Sequence, residues 1–199
     1  MYKKFALLLT IAACCTMSIQ AQSFTYSNLS YTYVYKITVV KGSDEYDSQL
    51  RLYIFKWDGK LLQEIDEDAG SLYNSDAFKS GKNSRSYITG KGRNAPVEDF
   101  DFGDLIIADL NFDGKEDIAL KTGLSADAGP YYAFYTQGND GRFYPDNFLT
   151  NHVASFPKYI NAKARTITTQ IQTNYSPIGK KTFKYNVKTK KWHLEKWVE

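Results

Sequence analysis

Oxygen-bearing side chains crowd one short stretch of the chain, where Asp109-Leu110-Asn111-Phe112-Asp113-Gly114-Lys115-Glu116-Asp117 reads D-x-N-x-D-G-x-x-D. Donors at positions 1, 3, 5 and 9 of such a loop converge on one hard cation only if the backbone reverses after position 5, and Gly114 is the residue that takes a left-handed conformation there without a Cβ clash. The expected ligands are the side chains of Asp109, Asn111, Asp113 and Asp117 and the carbonyl of Lys115, whose side chain is expected to point outward. Three carboxylates and one amide in nine residues favour Ca2+ over Mg2+, which keeps more water. With no thiol or imidazole nearby, soft metals are disfavoured. The alternative is an Asp-rich turn closed by its own hydrogen bonds, with no ion. Asp101 and Asp104 either add a ligand or cap the preceding turn. An EF-hand requires a bidentate Glu at position 12; here that residue is Leu120 and both flanks are apolar and β-like, so a strand-loop-strand site is expected.

Other chemistries find little to work with. The chain has 2 His and 2 Cys in 199 residues, and both Cys fall at positions 14 and 15, which leaves little for a zinc site, a Cys nucleophile or a Ser-His-Asp device. Glu98, Asp99 and Asp101 are too close together on an extended segment to serve as a glycosidase carboxylate pair. Gly90-Lys91 is followed by Gly92, and Arg85 stands where a phosphate loop needs its first Gly, so no nucleotide site is read there. No nucleic-acid-binding motif is present. The expectation is a protein that is not an enzyme.

The N-terminus carries Lys3 and Lys4 ahead of an apolar run from Phe5 to Ile19 that closes at Gln20-Ala21-Gln22, the pattern of a signal peptide spanning residues 1–21. No later stretch approaches a transmembrane span, so a periplasmic or secreted protein is expected. A lipoprotein anchored through Cys14 of Ile11-Ala12-Ala13-Cys14 is the alternative. Processing after Ala21 removes both Cys and lowers the formal charge from +3 to +1, leaving a mature protein without disulfides. Charge is unevenly spread: residues 41–150 carry 12 basic and 20 acidic side chains, whereas residues 151–199 carry 10 and 2. This is read either as balanced solvated faces or as a basic C-terminal face for an acidic partner.

Hydrophobicity at period two dominates the remainder, 22–199, which is long enough for a single domain with a real core. Tyr31, Tyr33, Tyr35, Ile37 and Val39 share one face, and Leu50, Leu52 and Ile54 lead to an Asp58-Gly59 hairpin turn into 61–65. Further strands are expected at 104–109, 117–121, 130–136, 152–160, 164–172 and 183–187, the last returning through Thr189-Lys190-Lys191 to Trp192 and Val198. About ten strands in sequential hairpins predict an all-β fold, an antiparallel meander closed as a propeller-like or sandwich/barrel domain with one calcium loop. Residues 66–96 read as a long polar connection with a basic middle, either solvated or a partner contact.

The calcium loop resembles those of FG-GAP repeats and dockerins, though it occurs once. A longer pattern is similar to the bacterial periplasmic family that joins secretion-effector immunity proteins to inhibitors of invertebrate-type lysozyme: the loop, then Lys121-Thr122-Gly123-Leu124-Ser125, Tyr131-Tyr132-Ala133-Phe134-Tyr135 and Gly141-Arg142-Phe143. The resemblance covers residues 98–199 and extends to 24–97 only in β character. It implies a structural Ca2+ and inhibition of a peptidoglycan hydrolase by a loop inserted in its cleft. That loop would carry Thr122, Gly123 and Ser125, with Thr in place of the family's Ser, and Tyr131 and Tyr132 would add contact area. A non-catalytic carbohydrate- or cell-surface-binding module, using Tyr131, Tyr132, Trp192 and Trp197 as stacking platforms, is the other reading.

Overall fold

The computed structural model describes residues 21–44, 47–75, 77–78, 83–91, 103–125, 129–153, 155–173 and 176–199, with backbone alone at 74, 171–173 and 176–178. The expected signal peptide up to residue 20, Cys14, and the acidic residues Glu98, Asp99 and Asp101 lie outside the described residues.

The chain is all-β, and its described residues build three sheets, each contiguous in sequence. The first is the antiparallel meander β1 (Ala21–Tyr26), β2 (Tyr33–Lys41), β3 (Ser48–Lys56) and β4 (Leu61–Asp68). The central sheet runs β5 (Arg85–Ser86), β6 (Leu105–Ala108), β7 (Asp117–Ser125), β8 (Gly129–Gln137) and β9 (Phe143–Pro145), with β5 parallel to β6 and the other pairs antiparallel. The last is the meander β10 (Tyr159–Asn161), β11 (Thr166–Thr173), β12 (Ser176–Asn186) and β13 (Lys191–Val198). Each sheet runs from one edge strand to another, and none closes into a barrel.

Alternation decides how the sheets stack. Tyr35, Ile37 and Val39 of β2 and Leu50, Leu52 and Ile54 of β3 are buried against Leu105, Ile107, Ile118, Leu120 and Tyr135 of the central sheet. Their neighbours Ile106, Ala108, Ala119, Tyr132 and Phe134 point the other way and pack with Leu149, Val153, Phe156, Ile167 and Phe183 on the C-terminal side. The central sheet is therefore covered on both faces. All four residues of β6 are buried, and the strand reads as an unbroken apolar run because neither face meets water.

Several expectations are corrected. Residues 152–160 are not one strand: a π-helical turn at Leu149–Val153 precedes the short β10, because Leu149, Val153 and Phe156 cover the central sheet and Pro157 donates no ladder hydrogen bond. The meander is not purely antiparallel, since β5 adds a parallel edge. The connection after β4 is not simply solvated: it contains a 3-10 turn at Gly70–Asn74, and Leu72 and Phe78 are fully buried in the core. Phe78 takes a left-handed φ of 59°, and its N–H donates to the Asp104 carboxylate at 2.8 Å.

Candidate functional site

The oxygen-rich loop spans the turn from β6 to β7. Phe112 and Gly114 both adopt left-handed backbone, with φ of 60° and 83°, and these two reversals coil the chain around its own side chains. The Asp109 carboxylate accepts the N–H of Asp113 at 3.1 Å and of Gly114 at 2.9 Å. Asn111 Oδ1 also accepts from Asp113 at 3.1 Å, and Asp113 Oδ1 accepts from Lys115 N–H at 3.0 Å. Burial pushes the Asp109 carboxyl above its ordinary range, and these N–H donors pull it partly back.

Asp117 opens β7 and is fully buried. Both of its oxygens are engaged by backbone: Oδ2 accepts from Leu110 at 2.8 Å and Asn111 at 3.2 Å, and Oδ1 from Gln137 at 3.0 Å. Loss of hydration pushes its carboxyl up to about 7 despite those three donors. Asp117 thus clasps both ends of the loop to β8. Glu116, also buried, reaches the N-terminal sheet, where it accepts from Ser30 Oγ at 2.8 Å and the Tyr35 hydroxyl at 3.2 Å. The loop is therefore anchored on two sides.

Lys115 does not project freely outward as expected. Its ammonium donates to Asn139 Oδ1 at 2.7 Å and lies 3.6 Å from Asp113 Oδ2, because the β8–β9 turn stands beside the loop. Asp104 is no ligand to the loop: it forms a buried ion pair with Lys121 at 2.7 Å, both side chains being under 5% exposed. This pair is invisible to local pattern, since Asp104 lies just before β6 and Lys121 on β7.

The all-oxygen donor chemistry of Asp109, Asn111, Asp113 and the Lys115 carbonyl fits a hard cation. Among the described residues, however, no three His, Cys, Asp or Glu side chains are grouped closely enough to hold a metal by themselves. Asp117 is bonded to backbone N–H groups, and the Lys115 ammonium lies beside Asp113.

The residues expected to meet a partner divide. Thr122, Gly123 and Ser125 do not form a loop but extend β7, because Gly123 pairs with Tyr131 and Ser125 with Gly129. Thr122 is the extra residue of a bulge between Lys121 and Gly123. Successive residues of β8 face opposite ways, so Tyr131 is 41% exposed and Tyr132 only 2%. The Tyr132 hydroxyl donates to the Gly103 carbonyl at 2.8 Å and its ring packs on Phe134 and Phe156, which removes it from any contact surface.

β6 pairs with β7 only over Asp117–Leu120, and β9 pairs with β8 only over Tyr135–Gln137. Thr122–Ser125 and Gly129–Tyr131 therefore run on as a two-stranded ribbon, with no third strand beside them among the described residues. Leu124, 48% exposed, joins Tyr131 as an apolar side chain on this ribbon.

A cleft of about 570 Å³ opens between the loop, the β8–β9 turn and the β12–β13 turn, with Asp113, Lys115, Asn139, Tyr144 and Trp192 among its walls. Trp192 is half-buried, stacks on Phe148 and donates to Asp146 at 3.3 Å, whereas Trp197 is exposed under the Lys181 ammonium. These walls come from segments far apart in sequence, so no local pattern announces the cleft. No helix among the described residues is long and apolar enough to cross a membrane. No family model, curated protein or solved structure matches this chain.

Proposed function

We propose that this protein is an exported, non-enzymatic β protein that binds and inhibits a peptidoglycan hydrolase through the β7–β8 ribbon, its core a sandwich of three sheets. The observation that carries the reading is the ribbon itself: two paired strands that outrun their neighbours and expose Leu124 and Tyr131. Such a ribbon enters a concave cleft at little entropic cost, because its ladder and the packing beneath Tyr132 hold it in shape before binding. Thr122 and Ser125 supply hydroxyls and Gly123 keeps the surface beneath Tyr131 low. Ca2+ belongs to the proposal as a structural ion, held by Asp109, Asn111, Asp113 and the Lys115 carbonyl, and by Asp117 through Oδ1, which carries one hydrogen bond to the two of Oδ2. It would offset the mutual repulsion of the loop carboxylates and set the first residue of the ribbon's strand.

The test is cell-wall lysis by a panel of peptidoglycan hydrolases with the protein added in Ca2+ and, in parallel, in EDTA. Stoichiometric inhibition of one enzyme, weakened by EDTA and reduced at least about tenfold by Leu124→Asp with Tyr131→Ala, is expected. Inhibition that survives those changes and the loss of both hydroxyls at Thr122 and Ser125 moves the contact off the ribbon. No inhibition across the panel favours a surface-binding module instead.

A further inference from the structure

At the far end of the C-terminal sheet the β10–β11 and β12–β13 turns lie side by side, joined by Tyr185 N–H donating to the Arg165 carbonyl at 2.9 Å. Between them is a groove of about 510 Å³ whose walls include Lys163, Arg165, Lys184, Lys188 and His193, and no carboxylate. Both turns are pinned by an Asn side chain. Asn161 Oδ1 accepts from Ala164 N–H at 3.0 Å, and Asn186 Oδ1 accepts from Lys188 at 3.0 Å and Thr189 at 3.2 Å. Arg165 is held in the left-handed region with φ of 57°. The cations are thus carried on fixed backbone rather than on a wandering loop. The carboxylate seen nearby is Glu195, 2.9 Å from Lys184 on one rim.

Lys163, Arg165 and Lys188 face a concavity with no carboxylate in its walls, Lys184 being paired with Glu195 at its rim, and an anion entering the groove relieves their mutual repulsion. We propose that the groove binds a segment of an anionic glycan, with its sulfate or phosphate esters set against these cations. This does not depend on the hairpin reading above. A polymer is favoured over a free ion because the cations are spread along an open groove and are not closed over one point by a nest of backbone N–H groups, so affinity must come from several weak contacts acting together. A flat bilayer does not reach into a concavity between two turns. A protein partner is disfavoured because interface centres are depleted in Lys, and here three of the five basic residues are Lys. The uneven charge of the chain, 10 basic against 2 acidic residues over 151–199, steers a polyanion to this end of the molecule.

Calorimetric titration at low ionic strength with a defined sulfated oligosaccharide tests this, with neutral dextran, sodium sulfate, anionic phospholipid vesicles and duplex DNA as parallel arms. The oligosaccharide is expected to bind, to weaken steeply with added salt, and to lose about tenfold or more in affinity in the pair Lys163→Glu and Lys188→Glu. The pair Lys56→Glu and Lys60→Glu makes the same change in net charge on the exposed β3–β4 turn and is expected to leave binding within about twofold, with unchanged thermal midpoints showing that both variants fold. No binding of the unmodified protein, equal losses in the two pairs, sulfate ion binding as tightly as the oligosaccharide, or tighter binding to vesicles or DNA would each overturn the proposal.

Discussion

Asp117 shows how one carboxylate can be required by a fold before any ligand is considered. Its two oxygens satisfy three backbone N–H groups, those of Leu110 and Asn111 in the loop and Gln137 at the end of β8. All three lose their acceptor together if the side chain is cut back. Asp117→Ala is therefore expected to cost about 2–4 kcal/mol, the scale of several buried donors left unpaired, and to do so in EDTA as well as in Ca2+. Urea unfolding in the two buffers separates the roles: a cost seen only with Ca2+ present would make Asp117 a metal ligand and not a clasp. Gly114 is set by a different constraint. A Cβ there would meet open space, but its φ of 83° is a conformation that other residues adopt at a cost, so the constraint lies in the backbone alone.

At the scale of the element, β6 is the strand on which the architecture turns. Ile106 and Ile107 are adjacent in sequence and equally buried, yet they belong to two different cores. Truncating either to Ala is expected to cost about 2–4 kcal/mol by opening a cavity. Because the cavities lie on opposite faces, the double variant should equal the sum within about 0.5 kcal/mol, as measured by chemical denaturation. A marked departure from additivity would mean that the two cores yield as one. The β7–β8 hairpin is the complementary case, since it is well supported over Asp117–Leu120 by β6 and then continues without that support.

The whole molecule holds tyrosines at the seams between its sheets. Tyr26 of β1, Tyr35 of β2 and Tyr135 of β8 are all buried, and burial raises the pKa of each above the ordinary value of 10. Tyr35 also donates to Glu116, and Tyr135 to Glu67. Unfolded tyrosines ionise first, so the stability these groups lend is complete below pH 10 and is lost as pH rises beyond it, by up to about 1.4 kcal/mol per pH unit for each group. Urea unfolding at pH 9 and pH 11 should show that fall, and Tyr35→Phe should make it shallower. A stability unchanged between the two pH values would mean that these hydroxyls ionise inside the fold.

How much of this was legible beforehand depends on the range over which each signal acts. Strands β2 and β3, the Asp58-Gly59 turn and the reversal at Gly114 are local matters: alternation and a left-handed Gly are written in neighbouring residues, and they read correctly except that Tyr31, expected on the buried face, lies before β2 and is exposed and that Phe112 is left-handed as well. The all-β class follows from the same local rule applied along the chain. The ion pair of Lys121 with Asp104, the burial of Tyr132 beside the exposed Tyr131, the helical turn at 149–153 that replaced the start of the strand expected at 152–160 and the engagement of Asp117 by backbone depend on which sheet covers which face. A period-two pattern states that a residue has a buried side and says nothing of what lies against it. Only the stacking of three sheets, with the middle one covered on both faces, settles those contacts.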